Sequence, residues 1–400
     1  EQGERVFPRI ACRRRARRRS RRAWLVSGRL AGVFGWGSAA FSRILAQSEN
    51  AVDVAWLADV QRPPQQPLKD PPQLSDLLHP PGQPAVATLD DWRRERSRLR
   101  GEWLEFLGPM PAKRPPVKVT TVSEDHPEGV TRRLVRYEGE PGITVEGYLL
   151  IPDRDFPGAD EQGRRAGLVA LHPTTNNTIH EIAGVRGPEE HHVGLKLARR
   201  GFVVFCPLCF LWHDCVDIPD AVRKFRARRP ETKGMAKMLY DAQRGVDVLE
   251  SLTDLVDPAR LGAVGQSLGA KETLYLQAFD DRIQAGVFSE GGIGFPSTNW
   301  NAPWYLGPAI QADNFPLNHH QLLALIAPRP FLVLGGETGP GAADGDRSWP
   351  YLEAALPVWK LFDRPSRLGL LNHGEGHRIS PASFDTLAEW LTTYLACGGC

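Results

Sequence analysis

The sequence predicts an α/β protein: a mostly parallel sheet of about eight strands with helices on both faces. Three observations predict it. Short apolar runs recur at Arg133–Tyr137, Thr144–Ile151, Gly167–His172, Phe202–Cys206, Leu261–Val264, Gln284–Phe288, Pro330–Leu334 and Leu368–Leu371. From the third run onward they alternate with amphipathic helical stretches at 191–200, 235–254, 269–279, 351–362 and 382–395, the pattern of parallel strands buried on both faces. Between the first two runs stands Glu140-Pro141-Gly142, a hairpin signal, so the sheet is expected to open antiparallel. With 42% hydrophobic and 24% charged residues, the 400-residue chain is neither a disordered nor a membrane-embedded polymer.

Charge divides the chain. The net of +2 hides twelve Arg against two acidic residues in 1–48; removing these from 49 basic and 47 acidic leaves 37 and 45 in the remainder. A nucleic-acid partner is excluded for the body, because the positive charge sits in one terminal block and the rest repels phosphate. Residues 1–48 have the order of an export signal. Arg21-Arg22 precede a weakly apolar stretch, Leu30 to Phe41, and Ala46-Gln47-Ser48 offers a small-x-small cleavage pattern. The expectation is a twin-arginine-like signal and a periplasmic or extracellular protein with no membrane attachment after cleavage. The stretch is too short to span a bilayer, which takes about 20 apolar residues.

Residues 49–116 read as a Pro-rich linker and a packing helix. Three Pro-Pro pairs at 63, 71 and 80 break regular structure over 61–87. From Asp90 to Leu107, Trp92, Leu99, Trp103 and Leu107 share one helical face, with Asp90 or Asp91 as the cap. The catalytic domain is expected to occupy 117–400. Six Cys include two Cys-x-x-Cys pairs, 206/209 and 397/400. A zinc site is weighed and set aside because the pairs are far apart; one or two disulfides are the expectation, with at least one thiol left over. No metal or cofactor is called for.

The sharpest chemical signal is Gly265-Gln266-Ser267-Leu268-Gly269 between the fifth apolar run and a helix. An exposed nucleophile on a strand-to-helix turn needs small residues two positions either side, and this pattern in this order suggests an α/β-hydrolase. Ser267 is the expected nucleophile, with the NH of Leu268 facing developing negative charge. After the last run, Asn372-His373-Gly374-Glu375-Gly376-His377 supplies the base; His377 is preferred, and His373 is expected to be structural or to line the pocket. Asp346 is the expected acid, with Glu290 as the alternative and Asp344 and Glu337 behind them. Thr174 is the expected second oxyanion donor, because Pro173 has no NH. His172 is expected to hydrogen-bond behind the pocket or to touch substrate, and Trp300, Trp304 and Tyr305 either to offer aromatic faces to a sugar ring or to pack a cap against the domain.

Several stretches carry a family resemblance. Val256 to Gly262 running into the elbow, Ser289-Glu290-Gly291-Gly292-Ile293-Gly294, Asn299-Trp300 with Ala302-Pro303-Trp304-Tyr305, and His319 to Pro330 resemble bacterial, often planctomycete, α/β-hydrolases of the dienelactone-hydrolase and acetyl-xylan-esterase-like type. The resemblance covers 117–395 and Trp56 to Gln61, and it implies an exported serine esterase acting on carbohydrate esters. Gln266, where members commonly carry His, and Cys206 depart from the pattern. Ser267, Lys271 and Glu290 together also resemble glucuronoyl esterases, although the elbow lacks their Cys-Ser-Arg-Asn-Gly sequence. The first expectation is therefore an acetyl xylan esterase-like enzyme, with glucuronoyl or feruloyl ester hydrolysis as the alternative. From another class, a weakly active polysaccharide-binding protein on the same fold remains. A prolyl-oligopeptidase-like peptidase is disfavoured, since nothing before residue 117 resembles a propeller.

Overall fold

In the computed structural model, apolar strands flanked by helices gather into one nine-stranded sheet, ordered β1-β2-β3-β5-β4-β6-β7-β8-β9. The structure describes residues 53–66, 68–153, 155–338, 345–363 and 365–396. The export-signal expectation, Cys12, Asp344, Cys397 and Cys400 lie outside them. The strands are β1 (Thr120–Asp125), β2 (Val130–Glu140), β3 (Ile143–Pro152), β4 (Arg165–Leu171), β5 (Val203–Pro207), β6 (Val256–Gln266), β7 (Ile283–Ser289), β8 (Phe331–Gly335) and β9 (Leu368–Asn372). Pairing is antiparallel through β1, β2, β3 and β5 and parallel from β5 through β4 to β9.

The ninth strand is a correction. Every residue of β1 is exposed, so it has no apolar pattern to read. It is an edge strand held by ladder bonds and by opposite charges set across from each other, Glu124 opposite Arg133 and Asp125 opposite Arg132. The hairpin between β2 and β3 forms where expected, with Gly142 at φ 76°.

The helices are α1 (Leu89–Leu107), α2 (Ile179–Ile182), α3 (Val193–Ala198), α4 (Ile218–Arg228), α5 (Gly234–Ser251), α6 (Leu268–Phe279), α7 (His319–Ile326), α8 (Trp349–Lys360) and α9 (Pro381–Leu395). Alternate residues of the central strands serve opposite faces. Leu168, Ala170 and Val204 pack with α3 and α9, whereas Val169, Leu171 and Val203 pack with Ala242, Val246 and Leu249 of α5. The α4 helix, which buries Ala221, Val222 and Phe225 on one face, is an addition to the expected elements. Asp217 caps it by accepting from the Asp220 NH.

In α1 all four expected apolar residues are buried, but the cap is Thr88. Its hydroxyl accepts from the Asp91 NH while Asp91 reaches back to the Thr88 NH, a reciprocal capping box. Trp103 carries the helix onto α7, donating from Nε1 to Gln321 Oε1 at 3.1 Å. Ahead of the Pro-rich stretch, Val54, Leu57 and Val60 are buried. A Cβ at Gly369 would lie 2.4 Å from Val60, and Trp56 packs on Trp390 at 5.8 Å. From residue 53 the extension thus shares the core of the hydrolase body. Among the described residues no helix is long and apolar enough to cross a membrane.

Candidate active site

At the carboxyl end of β6 the chain turns abruptly into α6. Ser267 stands on that turn at φ 56°, ψ −111°, a conformation that costs a non-glycine residue on the order of 1–3 kcal/mol and persists where the surroundings enforce it. The flanking glycines show the enforcement. A Cβ on Gly265 would lie 2.1 Å from the Gly269 carbonyl oxygen, and one on Gly269 would lie 2.1 Å from that of Leu171. Strand, elbow and helix therefore approach closely only with glycine at both places, and the Ser267 NH donates to the Ser289 carbonyl at 2.8 Å.

The neighbouring strands end at the same level. Gln266 pairs with Ser289, Ser289 with Leu334 and Gly335 with Asn372, so Ser267, Glu290 and His373 are the first residues beyond β6, β7 and β9. Adjacent strands are about 4.8 Å apart, which puts these side chains along one edge. Glu290 also has positive φ, 59°, and its NH donates to Leu334 O at 2.9 Å. Beyond β8, a Cβ on Gly336 would lie 2.4 Å from the Glu375 carbonyl; glycine there lets the 373–377 loop cross the strand end.

Glu290, 2% exposed, lies between two imidazoles. One carboxylate oxygen, Oε1, is hydrogen-bonded to His373 Nε2, and the other, Oε2, is 3.8 Å from His377 Nδ1. His373 is committed at both nitrogens, since Nδ1 accepts from the Glu375 NH at 3.2 Å. His377 keeps more contact with solvent, its side chain 28% exposed against 7% for His373. At 3.8 Å the carboxylate oxygen is beyond hydrogen-bond distance of His377 Nδ1 but on the side of the ring from which a carboxylate orients a general base.

Asp346, the first expectation for the acid, is placed otherwise. It sits in a 3-10 turn, Gly345–Ser348, where its NH donates to Glu337 Oε1 at 2.7 Å and its Oδ1 accepts from Asn372 Nδ2 at 2.8 Å. Glu337 accepts from the same amide at 2.8 Å, so this pair brackets Asn372. Among the described residues, the carboxylate facing His377 Nδ1 is Glu290. Both loops reach the same end of the sheet, and their sequences do not distinguish which one turns its acid inward.

Pairing of Leu171 with Gly265 brings the loop after β4 beside the elbow. His172 anchors its start: Nδ1 donates to Pro173 O at 2.8 Å and Nε2 accepts from the Cys209 NH at 3.2 Å. Burial lowers its pKa to about 4, so it is neutral, and it is 1% exposed. Both ring nitrogens are thus engaged within the protein, in line with its hydrogen-bonding reading. Further along, Thr175 and Asn177 each donate to Glu181 Oε2 at 3.0 Å. Thr174, held between these anchors, is exposed and lines an open cleft of about 680 Å³ with Trp212 and Ile218. Leu268 opens α6, where backbone NH groups have no acceptor within the helix.

Of the two expectations for the aromatic residues, Trp300 and Tyr305 follow the packing one. Trp300 and Tyr305 are 0% and 2% exposed. Trp300 donates from Nε1 to Gly292 O at 2.6 Å and packs on His319 at 4.2 Å. Lys271 Nζ lies 4.7 Å and 4.4 Å from the Trp300 and Tyr305 ring centroids and donates to Thr298 Oγ1 and Asn299 Oδ1 at 2.6 and 2.7 Å. These residues brace the 291–305 loop, because their rings satisfy one another instead of facing solvent; Trp304 remains half-buried. Sequence reasoning missed Glu272, fully buried behind the elbow, whose carboxyl is pushed well above the carboxylate range by burial and hydrogen-bonds to Cys209. Cys206, Cys209 and Cys215 carry free thiols, contrary to a disulfide among them. The described residues contain no group of three or more His, Cys, Asp or Glu able to hold a metal ion.

Residues 178–308 match the dienelactone hydrolase family. Two fungal proteins named 4-O-methyl-glucuronoyl methylesterase are similar. The one from Neurospora crassa is 25% identical over 40% of this chain and 47% of its own length, so the match spans about half of that protein. The one from Phanerochaete carnosa is 23% identical over 77% of this chain and 76% of its own. Among solved structures, a glucuronoyl esterase from Solibacter usitatus superimposes with a TM-score of 0.65 at 18% identity, covering 82% of this chain and 99% of that one. At that identity the likeness is one of fold, and the fold is the α/β-hydrolase that the elbow and strand order predict.

Proposed function

We propose that this chain is a serine carbohydrate esterase cleaving a glucuronoyl ester, with Ser267 as nucleophile, His377 as general base and Glu290 as the acid that orients it. The observation that carries the reading is the Glu290 carboxylate, buried one strand from the strained serine, with an oxygen turned toward His377 Nδ1. Ser267 Oγ attacks the ester carbonyl as its proton passes to His377, and the Leu268 and Thr174 NH groups take up the charge on the carbonyl oxygen. The tetrahedral intermediate collapses, and the departing alcohol oxygen receives that proton. Water repeats the sequence on the acyl-enzyme, releasing the acid and restoring Ser267.

Two lines support the glucuronoyl substrate over the acetyl one: the spacing of Ser267, Lys271 and Glu290, and the similarity to two fungal 4-O-methyl-glucuronoyl methylesterases. Leu268, where the glucuronoyl esterase elbow has Arg, favours acetyl xylan as a second reading. Export directed by residues 1–48 belongs to the proposal, and a reporter fused to them should lose export when Arg21 and Arg22 both become Lys. The deciding experiment measures kcat/KM on a methyl glucuronate ester and acetate release from acetylated xylan, with Ser267→Ala as control. The expected result is hydrolysis of the glucuronate ester that falls on the order of a millionfold in the variant. Acetate release without glucuronate ester cleavage would establish the second reading. Neither activity, with no fluorophosphonate labelling of Ser267, would leave a binding protein.

A further inference from the structure

We infer that His373 is a positioning residue of this site: by holding Glu290 Oε1 it commits Oε2 of the same carboxylate to His377. The inference rests on the Ser267, His377 and Glu290 reading above.

The protonation state of His373 follows from its partners. A backbone NH can only donate, so the Glu375 NH at 3.2 Å makes Nδ1 an acceptor, and the ring proton of the neutral imidazole is on Nε2. Nε2 therefore donates to Glu290 Oε1. With both nitrogens used and a side chain only 7% exposed, His373 has no lone pair left to take a proton from Ser267.

The backbone already holds this loop without the imidazole. The His373 NH donates to Gly335 O at 3.0 Å, and the Glu337 and Thr338 NH groups donate to Glu375 O at 3.0 and 3.2 Å. What the ring adds is control of Glu290. That side chain follows a backbone at φ 59°, precedes two glycines, and has three rotatable bonds. Its Oε2 is buried and accepts no hydrogen bond among the described residues, while His377 Nδ1 stands 3.8 Å away. A bond at Oε1 alone fixes the carboxylate plane so that Oε2 points at that nitrogen. Contacts of this kind shorten when the reacting complex forms. Without the donor, the carboxylate can rotate, and His377 loses the partner that sets its tautomer.

The test is a double-mutant cycle on the full chain using a methyl glucuronate ester, with kcat and KM separated. His373→Leu should lower kcat about a hundredfold, the scale of a misplacement near 1 Å, with KM within about twofold. His373→Gln, whose amide nitrogen can stand where Nε2 stood, should recover most of that loss, and the shorter His373→Asn should not. On a Glu290→Gln background, His373→Leu should change kcat less than about threefold, because the residue acts through a carboxylate no longer present. Multiplicative losses in the double variant, or Gln and Asn variants of equal activity, would overturn the inference. The Gln and Asn pair decides it even if the Leu variant does not fold. If Ser267→Ala kept its turnover, the parent reading would fail instead, whatever the His373 series gave.

Discussion

Two histidine clusters sit at the carboxyl end of this sheet, and they use the same side chain in opposite ways. His319 is 0% exposed; Nε2 meets the Tyr275 hydroxyl at 3.0 Å and Nδ1 donates to Ile293 O at 2.5 Å. Its ring packs against Trp103, Tyr275, Phe295 and Trp300. Burial drives its pKa to about 3, so it is a neutral piece of core with two hydrogen bonds. His377 is 28% exposed and faces a carboxylate. One environment removes the charge, whereas the other sets a buried carboxylate oxygen 3.8 Å from the ring. Neither histidine announces its role in the chain, so each is informative only once its partners are known.

Four experiments would break or sharpen that contrast. The largest effect belongs to the charge partner. Glu290→Gln should lower kcat by about four orders of magnitude, while Asp346→Asn, which keeps an acceptor for Asn372, should cost less than tenfold. Equal losses with both variants folded would return the acid to the loop after β8. Next comes the aromatic brace. Trp300→Ala should destabilise the protein by about 3–5 kcal/mol, read from urea unfolding, because a fully buried ring and its hydrogen bond to Gly292 are lost. KM for a soluble ester should stay within about threefold; a rise of tenfold or more in a folded variant would make Trp300 a substrate contact after all.

A third effect is a pH dependence of stability. His172, His319 and His320 have pKa values lowered by burial from 6.5 to about 4, 3 and 4. Between 6.5 and those values the unfolded chain binds protons that the folded chain refuses. Their contribution is whole above pH 6.5 and is lost as pH falls, by up to about 1.4 kcal/mol per pH unit for each. Urea midpoints at pH 7, 5.5 and 4.5 should fall in that order, and a flat series would show that these rings take up protons without unfolding. The smallest effect tests a site far from the chemistry: Thr88→Ala should cost about 1 kcal/mol of stability through the lost cap and leave turnover unchanged.

The legible parts were those in which local geometry dictates composition. The elbow could be read because Gly265 and Gly269 meet backbone within 2.1 Å, a constraint that only glycine meets. Helix α1 could be read because Trp92, Leu99, Trp103 and Leu107 repeat with the helical period, although the cap lay one residue before the element, at Thr88. Strand β1 could not, because ladder bonds and exposed charges leave no periodic signal. The aromatic residues left two readings open, since Trp and Tyr in a loop look the same whether they stack on a ligand or on Lys271 and His319.

By itself, then, the sequence determined the kind of sheet, the turn that presents Ser267, and the short stretch after the last strand that carries His373 and His377. These follow from periodicity and from steric demands acting within a few residues. Only the tertiary structure decided which carboxylate faces His377, which imidazole is already spent on its neighbours, and that Trp300 is core. Those choices depend on side chains far apart in the chain, as Glu290 is from His373 and His377, and Trp103 from His319. Their separation in space is set by strand register, and no local pattern encodes it.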